Sequence, residues 1–223
     1  GVVGSNGGSI HTREITKNSD LIIFIGCRAG SVTTEKWQYP NKKTKIIHID
    51  IDSKVIGANY KTHISLIADA KLTLIELNKK IKKINFEGNK IVKEVKKKKF
   101  KEFNKLCNED KGLIKPERIV KELNDALPED TYIVLDPGTP CPYFAAYYNF
   151  AKAGRYFLSN RAHGALGYSL SASIGVQIGQ PKNKVVAVMG DGSFGFTVGE
   201  LETAMRLNLP IIFIVISNSV YGW

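Results

Sequence analysis

Three short stretches hold the residues best suited to chemistry: Asp136-Pro137-Gly138-Thr139, Gly190-Asp191-Gly192-Ser193 and Ser217-Asn218-Ser219-Val220-Tyr221-Gly222. Each follows directly on an apolar run. Brought together, they would offer a carboxylate, a carboxamide oxygen and several backbone N–H groups. Hard oxygen donors of this kind suit Mg²⁺ or Ca²⁺. Glycine allows a phosphate to approach the main chain closely. Asp191 and Asn218 alone carry too little charge for a tight metal site, and a diphosphate ligand would supply the missing oxygens. In isolation, Gly-Asp-Gly reads as a turn and Asn218 as a helix cap. The spacing weighs against that. Asp191 and Asn218 lie 27 residues apart, each after an apolar strand, with one helical segment between them. That is one βαβ crossover, which brings both side chains to the same edge of a parallel sheet.

The elements that must position these residues are legible as apolar runs at 21–25, 45–49, 132–135, 185–189 and 211–216. Most are continuous rather than alternating, the pattern of parallel strands buried on both faces. Helical periodicity appears between them. Residues 69–84 carry Leu72, Ile75, Leu77 and Ile81, and residues 116–127 open with Pro and Glu before Ile119, Val120, Leu123 and Leu127. Residues 164–178 are rich in small side chains, and 198–207 follow Thr197 with Glu200 and Glu202 in the early turns. Strands alternating with helices predict an α/β fold of two doubly wound parallel-sheet domains. The expected division is residues 1–85, a Lys-rich helical connector at 86–112, and residues 113–223.

Charge supports that division. The 223-residue chain has a formal charge of +11, yet 12 Lys and 3 Glu between Lys79 and Lys105 account for +9 of it. Ile91, Val92, Val95, Phe100, Phe103 and Leu106 recur there at helical spacing, so the segment reads as an amphipathic helix with a solvated Lys face. Aromatics interleaved with Arg, as on a base-stacking platform, are missing, which argues against nucleic acid. Neutralising Lys96 to Lys99 is expected to leave activity within a few-fold. Cys27, Cys107 and Cys141 form no C-x-x-C pair, so neither a disulfide framework nor a cysteine zinc site is expected, and a reducing cytoplasm is the default. His11, His48, His63 and His163 show no close ligand spacing. No apolar run approaches the ~20 residues of a membrane span.

The order Gly190-Asp191-Gly192-Ser193, helix, apolar strand, Asn218 resembles the cofactor motif of thiamine diphosphate (ThDP) enzymes. Upstream, residues 164–175 resemble the helix start that precedes that motif in the acetolactate synthase and 2-oxoacid decarboxylase superfamily. Residues 1–70 resemble the second half of its central domain. The resemblance implies that Asp191, Asn218 and the carbonyl of Val220 hold Mg²⁺. It implies that Gly192 and Ser193 donate to the diphosphate, which Gly138 and Thr139 also meet. Leu166 matches the apolar residue that props the coenzyme in a bent shape, and the backbone of Gly164 and Leu166 would face the aminopyrimidine. The bend sets the imino nitrogen beside the reactive thiazolium carbon, and the coenzyme then serves decarboxylation of a small-molecule 2-oxoacid.

Departures from the family pattern matter too. The family's catalytic glutamate lies in an amino-terminal pyrimidine domain that nothing here resembles, so no catalytic residue is assigned. The chain reads as an interior piece of a three-domain subunit, expected to form a homodimer or homotetramer and to bind ThDP weakly by itself. Ser217 replaces the first of the family's usual Asn pair, and Leu166 its usual Met. The turn at 136–142 is unusually proline-rich. His163 could touch substrate or simply bond backbone. Gly26-Cys27-Arg28-Ala29-Gly30 and Asp50-Ile51-Asp52 fall where acetolactate synthases bind FAD, but flavin is not favoured, since any such fold needs a strand-end glycine turn. The leading expectation is acetolactate synthase-like decarboxylation and carboligation. A simple 2-oxoacid decarboxylase or C–C lyase, a non-catalytic dinucleotide-binding module, and a nucleic-acid-binding protein are the alternatives.

Overall fold

The computed structural model describes residues 2–82, 87–109 and 111–220. The chain divides into two units, Gly1–Glu102 and Phe103–Trp223. Both are α/β with all-parallel sheets.

The first unit begins with α1 (Ile10–Asn18). Ser9 caps it, accepting the Thr12 N–H at 3.3 Å while the Thr12 hydroxyl accepts the Ser9 N–H at 2.9 Å. This reciprocal pairing satisfies two donors that the first turn leaves open. Strands β1 (Leu21–Ile25), β2 (Lys45–Asp50) and β3 (Ile64–Ile67) lie side by side in chain order. Phe24, Ala29 and Ile46 form a small core, with Tyr60 packed against it. Helix α2 (Ala70–Lys80) starts at Asp69, whose carboxylate accepts the Leu72 N–H at 2.9 Å.

Two expectations need correction in this unit. Burial on both faces fails for β1, where Leu21, Ile23 and Ile25 are exposed; β3, a strand absent from the apolar runs read in the sequence, likewise leaves Ile64 and Ile67 exposed. An edge strand has a neighbour on one side only, and here part of its apolar surface has no helix over it. The β1–β2 and β2–β3 connections contain no helix. The helix read at 69–84 is shorter, ending at Lys80 with Ile81 extended, and none of its residues is buried. Ile84 lies outside the described residues.

The Lys-rich segment is helical as α3 (Gly88–Cys107). Its face is less uniformly solvated than the sequence suggests. Lys96, Lys97 and Lys98 are exposed, but Lys99 is only 6% exposed, and burial pushes its pKa down. Near the end of the helix, Phe103 stacks on Tyr147 with ring centroids 4.5 Å apart.

In the second unit, α4 (Pro116–Ala126) opens with Pro at its first position, where the missing N–H costs nothing. Then follow β4 (Tyr132–Leu135), α5 (Pro140–Tyr147), β5 (Phe157–Leu158), α6 (Tyr168–Gly179), β6 (Val185–Gly190), α7 (Asp191–Thr197), α8 (Glu200–Arg206) and β7 (Ile211–Ile216). The strand order is β5-β4-β6-β7. From β4 the chain steps to one side to make β5, then returns to the other side to make β6. The order therefore reverses between β4 and β6, and such a switch point opens a crevice at the carboxyl ends of the strands.

Strand β6 shows why continuous apolar runs were the right signal here. Its side chains alternate between two cores. Val186 and Val188 join Val120, Ile133, Leu135 and Phe144 on one face. Ala187 and Met189 join Leu170, Ile174 and Ala204 on the other. Each large apolar side chain so buried contributes ~1.5–3 kcal/mol relative to exposure. β7, at the sheet edge, leaves Ile212 and Val215 exposed, so two-faced burial holds for β4 and β6 but not for β7.

Three local differences bear on the site. The helix read at 164–178 starts only at Tyr168, because Gly167 has φ +87° and Gly164 φ +69°, both left-handed. Residues 191–193 do not form a loop but open α7, so two short helices rather than one link β6 to β7. The proline-rich turn is partly helical, α5 beginning at Pro140.

Candidate functional site

The parallel order β4, β6, β7 brings the three polar stretches to one sheet edge. Gly190 pairs with Ile216 across the sheet, so Asp191 emerges beside Ser217. One oxygen of Asp191, Oδ2, accepts the Ser217 hydroxyl and the Ser219 N–H, both at 2.8 Å. Its Oδ1 accepts the Gly192 N–H at 2.8 Å. Ser219 adopts a left-handed φ of +57°. The Asn218 side-chain oxygen accepts the Val220 N–H at 3.2 Å.

Bonds to Ser217, Ser219 and Gly192 hold the Asp191 pKa below the usual carboxylate value. Each bond favours the charged form. The stabilisation is therefore fully present above the ordinary carboxylate range and is lost as pH falls through the lowered value.

One cleft is lined by Gly138, Thr139, Leu166, Asp191, Gly192, Ser193, Asn218 and Val220. These are eight of the nine residues singled out from sequence. Gly164 is not on that lining. It sits in the turn two residues before Leu166, its N–H bonded to the Asn160 carbonyl at 2.9 Å. Tyr221 and Gly222 lie outside the described residues. Leu166 is not a core leucine in a helix turn: it precedes α6 and is 38% exposed. Its Cδ2 stands 3.8 Å from where a Cβ at Gly138 would lie, so a side chain there would close onto the leucine. His163 is exposed and off the cleft lining, its backbone N–H bonded to the Asn160 carbonyl at 3.1 Å.

The donor set fits a hard cation carrying a phosphate. All candidate ligands are oxygens, and the carboxylate is already oriented by three hydrogen bonds. No group of three or more His, Cys, Asp or Glu side chains forms a metal cage among the described residues. A divalent ion here would take further oxygens from its ligand, as Mg²⁺ does with phosphates. The cleft volume is about 90 Å³. Pockets that enclose whole drug-sized ligands run to roughly 300–1,000 Å³, so this one suits an anionic tail rather than a whole coenzyme. A larger concavity of about 450 Å³ is lined by Leu113, Ile114 and Ile214 together with Glu109, Lys115, Arg118 and Glu122, whose charges pair with one another as Lys115–Glu109 and Arg118–Glu122. Chemistry, not size, selects the smaller one.

Sequence reasoning missed two contributors. Ser217 belongs to a polar stretch singled out in the sequence but has no role assigned there, yet its hydroxyl orients Asp191. Asp136 was read as part of a polar turn, yet it is fully buried and bonded to residues 31 and 33 positions away. No local pattern signals such a partner.

Comparison with known proteins agrees with this geometry. Residues 136–223 match the thiamine pyrophosphate enzyme C-terminal TPP-binding domain, and residues 1–77 match the thiamine pyrophosphate enzyme central domain. The chain is 34% identical to the acetolactate synthase large subunit of Buchnera aphidicola subsp. Schizaphis graminum, over 92% of this chain and 36% of that protein. It is 33% identical to the chloroplastic acetolactate synthase of Arabidopsis thaliana, over 96% of this chain and 32% of that protein. A probable acetolactate synthase large subunit of Methanocaldococcus jannaschii is 31% identical over the whole chain and 38% of its own length. The chain belongs to the thiamine diphosphate-dependent enzyme superfamily. It spans about a third of the length of these curated relatives.

Proposed function

We propose that this chain carries the diphosphate- and Mg²⁺-binding part of a ThDP-dependent enzyme that decarboxylates a 2-oxoacid and ligates the product, as an acetolactate synthase does. The observation that carries the proposal is the meeting of Asp191, Asn218 and the Gly138–Thr139 turn in one cleft at the switch point of the second sheet. The names of the relatives support the reaction class. Asp191, Asn218 and the Val220 carbonyl would hold Mg²⁺. Gly192, Ser193, Gly138 and Thr139 would receive the diphosphate. Leu166 would form the apolar wall under the rings, with the backbone of Gly164 and Leu166 toward the aminopyrimidine. When bound, ThDP supplies the nucleophilic carbon and the electron sink for decarboxylation. The protein's part is orientation and water exclusion. An apolar wall also favours loss of charge as CO₂ leaves.

The proposed enzyme works as a homodimer or homotetramer, with the catalytic glutamate coming from a pyrimidine domain. The proposal places it in the cytoplasm, in keeping with free Cys27, Cys107 and Cys141. No helix among the described residues is long and apolar enough to cross a membrane. Flavin is left out of the proposal. The strand-end turn at 26–30 is supported by the chain's own groups: His48 Nε2 lies 3.0 Å from the Cys27 carbonyl, and the Asn59 amide donates to the Arg28 carbonyl at 2.8 Å.

The test is a calorimetric ThDP titration of the full-length gene product with and without Mg²⁺, followed by product analysis over a panel of 2-oxoacids. Binding that needs Mg²⁺ is expected. Dinucleotide binding indifferent to Mg²⁺, with no response to ThDP, would favour a dinucleotide-binding module instead.

Two smaller effects are expected in the same protein. Ser217→Ala removes one hydrogen bond to the half-buried Asp191 carboxylate. With the carboxylate less firmly oriented, Mg²⁺-dependent ThDP affinity should fall a few-fold in the same titration. Replacing the exposed Lys96, Lys97 and Lys98 with Gln should leave kcat/KM within about twofold, since solvated charges of this kind contribute little. A large loss would show that the basic face of α3 takes part in function.

A further inference from the structure

We propose that Asp136 is a positioning residue: its buried carboxylate latches the 164–167 turn, and with it Leu166, to the carboxyl end of β4. The purpose assigned to that latch rests on the ThDP reading of the cleft. The latch itself is geometric. Asp136 is 0% exposed. Its Oδ1 accepts the Gly167 N–H at 2.8 Å, and its Oδ2 accepts the Ser169 N–H at 3.0 Å together with the Ser169 hydroxyl. A buried carboxylate is costly unless so bonded.

These donors belong to the start of α6, whose first N–H groups have no intrahelical acceptor and whose dipole favours a negative charge. The residue at the N-cap position is Gly167, which has no side chain to do the job. The cap therefore comes from 31 residues upstream, and that distance is what makes it more than a cap. Asp136 lies two residues before Gly138, on one wall of the cleft. Gly167 lies next to Leu166, on the other.

Independent contacts hold the same turn. The Thr197 hydroxyl donates to the Gly167 carbonyl at 3.0 Å, so Gly167 is gripped on both sides. The Asn160 amide donates to the Ala165 carbonyl at 3.2 Å. The Arg161 guanidinium bonds the Pro137 carbonyl, a second tie between the two walls. With left-handed glycines at 164 and 167 flanking Leu166, the turn has freedom that the Asp136 carboxylate removes.

The test uses the full-length protein carrying Asp136→Asn, which keeps the shape but turns an NH₂ group toward N–H donors. Three readouts are taken: amide exchange at Gly167 and Ser169, methyl relaxation of labelled Leu166, and Mg²⁺-dependent ThDP affinity. Exchange and methyl motion should both rise without any coenzyme present. Affinity should fall about tenfold or more, as for residues that orient ligands. In a cycle with Leu166→Ala the two affinity losses should be non-additive, since one acts through the other. Additive losses, or unchanged Leu166 motion in a folded Asp136→Asn protein, would overturn the proposal and leave Asp136 a helix cap only. If Asp136→Asn does not fold, Ser169→Ala removes one of the three bonds and is judged by the same readouts. If the wild type itself binds no ThDP, the functional reading fails, and the latch still stands or falls on Leu166 motion.

Discussion

Asp191→Ala should abolish Mg²⁺-dependent ThDP binding while leaving the protein folded. Among the described residues, Asp191 is the one carboxylate on the cleft lining, so its loss removes the formal negative charge they contribute to a divalent ion. The three donors it engages, on Ser217, Ser219 and Gly192, would point into the cleft with no acceptor. Two of them, on Ser217 and Ser219, are exposed to water. Stability should therefore change little. Asp191→Asn separates charge from geometry: it keeps an oxygen for the ion but loses the charge, and should bind weakly rather than not at all. Calorimetry in excess Mg²⁺ checks both. Unchanged affinity in the alanine variant would remove the metal site from the argument and the functional proposal with it.

Gly167→Ala should destabilise the second unit by about 2–4 kcal/mol, from strain in the backbone and overpacking around it. At φ +87° an L side chain is strained whatever the space around it. Here there is no space either: the added Cβ would stand 2.8 Å from Thr197 Cγ2 and 3.1 Å from Phe196 Cβ. Relief would require moving the same turn that Asp136 and Thr197 hold. Gly175→Ala is the control. It lies within α6 with nothing inside 4 Å of its Cβ position, so it should stabilise by about 0.5–1 kcal/mol through helix propensity. Urea unfolding of the pair, read by circular dichroism, decides it. Equal midpoints would show that the turn is softer than its contacts imply.

What the sequence disclosed follows from how local each signal is. β4 and β6 were legible because burial on both faces needs an unbroken apolar run. Asp191 and Asn218 were legible because each follows such a run at one crossover's distance. β5 was not, since two residues carry no periodicity and exist as a strand only through pairing with Ile133 and Val134. α7 was not, since two glycines in seven residues argue against a helix, and its place at the end of β6 overrides that preference. The late start of α6 depends on Gly167 being held by a carboxylate from another strand. The open faces of β1, β3 and α2 could not be foreseen either: apolar periodicity reports what a residue prefers to bury, not whether anything comes to bury it.

The two-sided strand β6 has a thermodynamic corollary. It supplies side chains to both hydrophobic layers and then, without a break, delivers Asp191 to the ligand. A coenzyme that binds only the folded form raises stability by mass action, about 2.7 kcal/mol at a hundred times its dissociation constant. Packing defects on either side of β6 should therefore be partly offset by added ThDP and Mg²⁺, with melting temperature rising as the coenzyme's concentration is increased.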